Sequence, residues 1–220
     1  MMKFCSLCFY LVLTLFAVCA NASCSDPNLN RLTLTLHPGK LLDNKLVECK
    51  QWPADPSLTI FVLPYPHPLP IEPETTVYDV EIAVVNNASG KVVANSYQTD
   101  AWESDANKID HVQIDTGRYQ LATAIRGFGV RIHTTGSSKA NPFYGEQLSL
   151  YMIKNQRLIN LLGITVNDFT GEWDTNCAGE FEEFNRILIV LPHKTNGFAD
   201  LLVKETRAKK KSLSLSARNA

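Results

Sequence analysis

Asp168, Glu172, Asp174, Asn176, Glu180, Glu182 and Glu183 crowd one short stretch around Gly171, Trp173 and Cys177. Oxygen ligands at that density suit a hard cation, which makes Asp168, Glu172 and Asp174 candidate calcium ligands. Their spacing fits no EF-hand loop, so the plain reading is a solvated acidic loop. A carboxylate pair for glycoside hydrolysis is the other chemistry such residues support. A second group is cationic: Arg118, Arg126 and Arg131 lie close together in sequence, interleaved with Tyr119 and Phe128, with Gly127 and Gly129 between them. Arginine and tyrosine are favoured at the centres of interfaces, so the three arginines are candidates for a ligand- or partner-binding face, against ordinary strand-exterior charge.

Templates for covalent catalysis fail. Gly136-Ser137-Ser138-Lys139-Ala140 lacks the second glycine of a nucleophile elbow, no helical pattern follows it, and Ser-x-x-Lys does not occur. Cys177 sits among carboxylates, which favour its thiol over the thiolate a nucleophile needs. The five histidines, His37, His67, His111, His133 and His193, are scattered without zinc-ligand spacing. The sequence therefore leans away from an enzyme and requires no cofactor, calcium being the one it would accommodate.

The compartment is the firmer reading. Lys3, the apolar run Phe4 to Ala20 and the small-residue site Ala20-Asn21-Ala22 have the order of a secretory signal cleaved after Ala22. A periplasmic or secreted protein is expected, with contact to a membrane only if the signal stays uncleaved or Cys24 is lipidated. Three cysteines follow the signal, Cys24, Cys49 and Cys177, and an odd number cannot all pair internally. Cys24 with Cys49 is the preferred bridge, with Cys49 to Cys177 the competitor. The formal net charge of −1 gives no ground for nucleic-acid binding. That total hides a cationic end, where Lys204, Arg207, Lys209, Lys210, Lys211 and Arg218 face only Glu205.

The elements that must position these residues are mostly strands. Arg31 to Leu36 alternates Leu with Arg or Thr, which predicts a strand ended by His37-Pro38-Gly39. Leu58 to Leu63 is a second apolar, β-branched run. Pro64, Pro66, Pro68, Pro70 and Pro73 then forbid helix and ladder alike and predict an extended connector. Tyr78, Val80, Ile82 and Val84 alternate with Asp79 and Glu81, and Asn86-Asn87-Ala88-Ser89-Gly90 turns the chain into a returning strand from Lys91. Strands follow at Ile109–Ile114, Arg118–Ile125, Phe128–Thr134, Leu148–Ile153, Leu158–Val166, Arg186–Leu191 and Phe198–Val203, with turns at Lys154-Asn155-Gln156 and Thr195-Asn196-Gly197.

The fold class expected is all-β, an antiparallel sandwich or barrel-like single domain with an N-terminal extended arm. Its parts are a signal peptide (1–22), an arm with one or two strands (23–63), a proline-rich connector (64–75), the main β domain (76–205) and a basic disordered tail (206–220). The expected function is that of a non-enzymatic binding or inhibitor-type protein with an unknown protein or envelope partner. The alternatives are a carboxylate- or calcium-dependent extracellular hydrolase and an envelope-tethered structural protein.

Overall fold

A computed structural model describes residues 27–68, 74–174 and 178–213. Helix α1 (Pro27–Leu36) is followed by β1 (Glu48–Gln51), β2 (Leu58–Pro66), β3 (Thr76–Asn86), β4 (Val92–Ser104), β5 (Asn107–Asp115), β6 (Gln120–Ala122), β7 (Ile125–Gly136), β8 (Phe143–Lys154), β9 (Arg157–Trp173), β10 (Gly179–Thr195) and β11 (Phe198–Ser212). The sheet runs β1-β2-β3-β4-β9-β8-β7-β5, with β10 beside β9, β11 beside β10 and β6 beside β7. Every pairing is antiparallel except the single parallel bridge Asn95↔Arg157 between β4 and β9. The two ends of the order approach each other, Lys50 Nζ of β1 donating to Ile114 O of β5 at 3.0 Å. The result is a nearly closed barrel, as the strand count and alternation predict.

Inward-pointing residues fill the barrel, among them Trp52, Ile60, Val62, Val80, Ile82, Val84, Ile114, Phe128, Val130 and Tyr151. Trp52 and Tyr151 flank Phe128 at ring-centroid distances of 5.7 and 5.9 Å. The outer face is covered in two places. Over β2 and β3, α1 and the loop after it bury Phe61, Leu63, Tyr65, Ala83 and Val85. Over β8, β6 and the β10–β11 hairpin pack Tyr119, Leu121, Leu150 and Met152 with Leu188, Val190 and Leu201. Strand β2 is thus buried on both sides, which is why Leu58 to Leu63 reads as a continuous apolar run instead of alternating.

The strand expected at Arg31 to Leu36 is a helix. Leu29, Leu32 and Leu36 fall on one side at helical spacing and reach the outer cluster, while Leu34 is 70% exposed. The threonines that break a helix by competing for backbone groups are absorbed locally, Thr33 Oγ1 donating to Asn30 O at 3.0 Å and Thr35 Oγ1 to Arg31 O at 2.7 Å. Pro27 opens the first turn and Gly39, at φ 84°, lies just beyond the end. Burying Leu32 there stabilises the arm by about 1.5–3 kcal/mol, more than the helix propensity of threonine costs.

Two other expectations change. Pro64 and Pro66 belong to β2, opposite Val80 and Tyr78 of β3. Pro64 O accepts from Asp43 N at 3.0 Å, so its ring nitrogen faces the edge away from β3, where no ladder donor is required. Residues 69–73 of the expected connector lie outside the described residues. Residues 206–212 of the expected disordered tail are the second half of β11, paired in register with β10. The sequence shows an acidic run and a basic run, and the fold sets one opposite the other: Lys209 Nζ meets Glu182 at 2.5 Å, Lys211 Nζ meets Glu180 at 2.6 Å and Arg186 Nε meets Glu205 at 2.6 Å. Opposite charges directly across an antiparallel pair favour that register, and like charges would oppose it.

Candidate functional site

The arginines stand at the corner where β5 passes through β6 into β7. Asp115 Oδ1 accepts from Gly117 N at 2.8 Å and turns the chain; Tyr119 and Leu121 then point into the outer cluster, leaving Arg118 and Gln120 exposed. Arg126, half-buried, donates through Nη2 to Gly117 O at 3.0 Å, while its Nε is buried with no acceptor among the described residues. Neither Arg118 nor Arg126 meets a carboxylate among the described residues. The two guanidiniums line an open cleft of about 600 Å³ together with Pro53, Thr116, Gln120 and Thr123.

Arg131 does not join them. It sits on the outer face of β7, donating through Nε to Asp115 Oδ2 at 2.8 Å and through Nη1 to Glu146 Oε1 at 2.5 Å. Burial alone would raise the Asp115 carboxyl, but the Tyr119 hydroxyl at 2.7 Å, the Gly117 N–H and Arg131 together hold it below the usual carboxylate range. Tyr119 is pushed up to about 12 by burial and by that same carboxylate. Next to this network, an extra residue in β5 brings His111 over His133, the rings stacked 3.9 Å apart. Burial, then the neighbouring His111, keeps His133 below the ordinary imidazole value.

The acidic stretch is not gathered into one site. Asp168 and Glu172 are four residues apart on β9, which separates them by about 13 Å along the strand. Glu172 lines a smaller cleft of about 280 Å³ with Asp174, Glu180 and Lys211. There Asp174 serves the β9–β10 turn, its N–H donating to Ala178 O at 2.7 Å and its Oδ1 accepting from Ala178 N at 2.8 Å. Glu180 is held below its ordinary value by the Lys211 ammonium, the opposite of what a general acid needs. Cys49 is half-buried beneath α1 and disulfide-bonded. Cys24 and Cys177 lie outside the described residues, and no pair is seen among the described ones.

A polar centre that sequence spacing does not reveal lies on the other side of the barrel. Asp79 and Glu81 occupy outward positions of β3, where alternation predicts solvent, and both are buried under the segment after α1. Glu81 Oε2 meets His37 Nε2 at 2.8 Å, and its Oε1 has no partner among the described residues. Asp79 is surrounded by donors: Lys40 Nζ at 2.5 Å and Tyr97 Oη at 2.6 Å on Oδ2, His67 Nε2 at 2.9 Å and the Asp100 N–H at 3.1 Å on Oδ1. Burial opposes the charge on Asp79, but these four donors outweigh it and hold the carboxyl well below its usual range. The bond to Asp79 correspondingly raises Lys40. Two extra residues of β4 produce the arrangement, since Tyr78↔Trp102 is followed by Val80↔Gln98. The resulting bulge puts Asp100 at φ 49° and aims it at the His67 ring, with Asp100 Oδ1 3.4 Å from Nε2. No family model, no curated protein and no solved structure matches the chain.

Proposed function

We propose that the protein is a secreted or periplasmic, non-enzymatic binding protein whose Arg118–Arg126 cleft receives an anionic group, a carboxylate or a phosphate, of its partner. The observation that carries this reading is a pair of guanidiniums lining one open cleft with no carboxylate partner among the described residues. Arginine presents a planar fork of donors matched to oxyanions, and Arg126 Nε is a donor already stripped of water but not yet given an acceptor. Thr116 and Thr123 on the cleft wall supply hydroxyls for the remaining oxygens. The neighbouring Arg131 is saturated by Asp115 and Glu146, so it sets the corner's shape instead of binding. The hydrolase alternative has less support, because the carboxylates it relies on are spread along β9 or occupied by lysines.

The test is a titration of the full chain, labelled at arginine Nε, with inorganic phosphate and with a short polyglutamate peptide, followed by NMR. Saturable shifts of the Arg118 and Arg126 signals, with Arg131 unmoved and the effect lost in R118Q/R126Q, are expected. Linear shifts shared by all arginines, or saturation that survives the double variant, would overturn the proposal.

A further inference from the structure

A second site follows from the bulge in β4. Three ligand atoms of the types that bind late transition metals converge there: His67 Nε2, Asp79 Oδ1 and Asp100 Oδ1, all within 4.8 Å of one another. The contacts from Nε2 to the two oxygens are 2.9 and 3.4 Å. Ligands held about 2.0–2.1 Å from a tetrahedral zinc ion lie roughly 3.3 Å apart, so both histidine–carboxylate separations already match those around a bound ion to within about half an ångström. We propose that His67, Asp79 and Asp100 bind one divalent ion of the zinc type.

The surroundings support an ion rather than a simple hydrogen-bonded cluster. Asp79 is fixed in advance, because Lys40 Nζ and Tyr97 Oη both hold its far oxygen, Oδ2, while Oδ1 faces His67 Nε2 and is steadied by the Asp100 N–H. That is the role outer-shell partners play in orienting a metal's carboxylate. Asp100 is 69% exposed, so its carboxylate gains little from the His67 contact in water but is already placed where a cation draws it in. His67 also lines an open cleft of about 330 Å³ with Glu74, Thr75, Thr76 and Lys108, so the imidazole side of the site is open to solvent. Two carboxylates against the Lys40 ammonium leave the site one negative charge before the ion arrives. The imidazole selects zinc, nickel or copper over calcium or magnesium, whose sites are built of oxygen alone. On binding, the ion takes the His67 Nε2 lone pair, and any proton on that nitrogen is released while Nδ1 carries the ring's N–H.

Isothermal titration of metal-stripped full-length protein with zinc chloride at neutral pH tests the inference. One equivalent is expected to bind, with affinity at least tenfold weaker in D100N and in H67Q and unchanged in H111Q, which disrupts the stacked His111–His133 pair instead. Asp100 is exposed, so D100N reports on the site without threatening the fold. Absence of binding by the wild type, or binding that D100N and H67Q leave intact, would overturn the proposal.

Discussion

Replacing Arg131 by methionine isolates the charge network on the outer face of β7. The guanidinium makes charge-assisted contacts to Asp115 and Glu146 at 2.5–2.8 Å, and the three side chains are 24%, 18% and 16% exposed. Breaking a fully buried ion pair costs about 3–5 kcal/mol, because the remaining charge loses its partner in a poorly solvated place, whereas exposed pairs are worth about 0–1 kcal/mol. At about one-fifth exposure, with two carboxylates losing their shared cation together, R131M is expected to lose about 2–3 kcal/mol at pH 7. A domain of this size loses roughly 2–4 °C of Tm per kcal/mol, so the melting point should fall by about 5–10 °C. Methionine retains most of the volume, which keeps cavity formation out of the comparison.

The pH dependence tests the cause. Asp115 is depressed in the folded protein, so its contribution is fully present above the ordinary carboxylate pKa of about 4 and is lost as pH falls through that value toward the folded one. Methionine removes one of the groups that depress it, so the stability gap between wild type and R131M should narrow below about pH 4. Urea unfolding at pH 7, 5 and 3, with D115N and the double variant completing a cycle, measures both the size and the coupling. A loss under about 0.5 kcal/mol at pH 7, or a gap that does not change with pH, would refute the argument.

Two further outcomes are expected. Gly90 has φ 62°, and a Cβ there would run into the Arg31 guanidinium, whose Nη2 donates to Ser89 O at 2.8 Å and ties α1 to the β3–β4 turn. Gly90→Ala should therefore cost about 1–2 kcal/mol and raise amide exchange across Pro27–Leu36 more than across the barrel, as hydrogen-exchange mass spectrometry will read. Peptide mapping without reductant should join Cys49 to Cys24, because Cys24 precedes by three residues a helix whose Leu29 and Leu32 pack in the same cluster as Cys49. A peptide joining Cys49 to Cys177 would show that the longer loop is the one closed.

The barrel was legible because its signals are local. Tyr78 to Ile82 alternates apolar with acidic residues, and the turns at Asn86–Gly90, Asn155-Gln156 and Asn196-Gly197 use residues that tolerate the left-handed backbone each one adopts, with Gly90, Asn155, Gln156, Asn196 and Gly197 all at positive φ. Helix α1 was illegible for the opposite reason. Arg-Leu-Thr-Leu-Thr-Leu satisfies a strand's period of two and also places Leu32 and Leu36 on a helix face with the preceding Leu29, and only the apolar surface of β2 and β3 decides between them. Within the arginine group, residue type and proximity put Arg118, Arg126 and Arg131 together and could not show that Arg131 is paired, because its partners Asp115 and Glu146 arrive from other strands.

The Asp79 centre was hidden more deeply. Its members, Lys40, His67, Asp79, Tyr97 and Asp100, come from four separate segments, and no spacing rule connects them. One signal did exist: Asp79 and Glu81 interrupt an otherwise apolar strand on the same face. Alternation identifies which side chains leave the barrel interior, but it does not say whether water or more protein lies outside. In this chain the outer face of β3 is roofed by the arm and that of β8 by β6 and the β10–β11 hairpin. Polar residues at exterior positions under such a roof must find partners or cost several kcal/mol each. Asp79 and Asp115 find them, and that is why both polar networks form on faces that a two-residue period assigns to solvent.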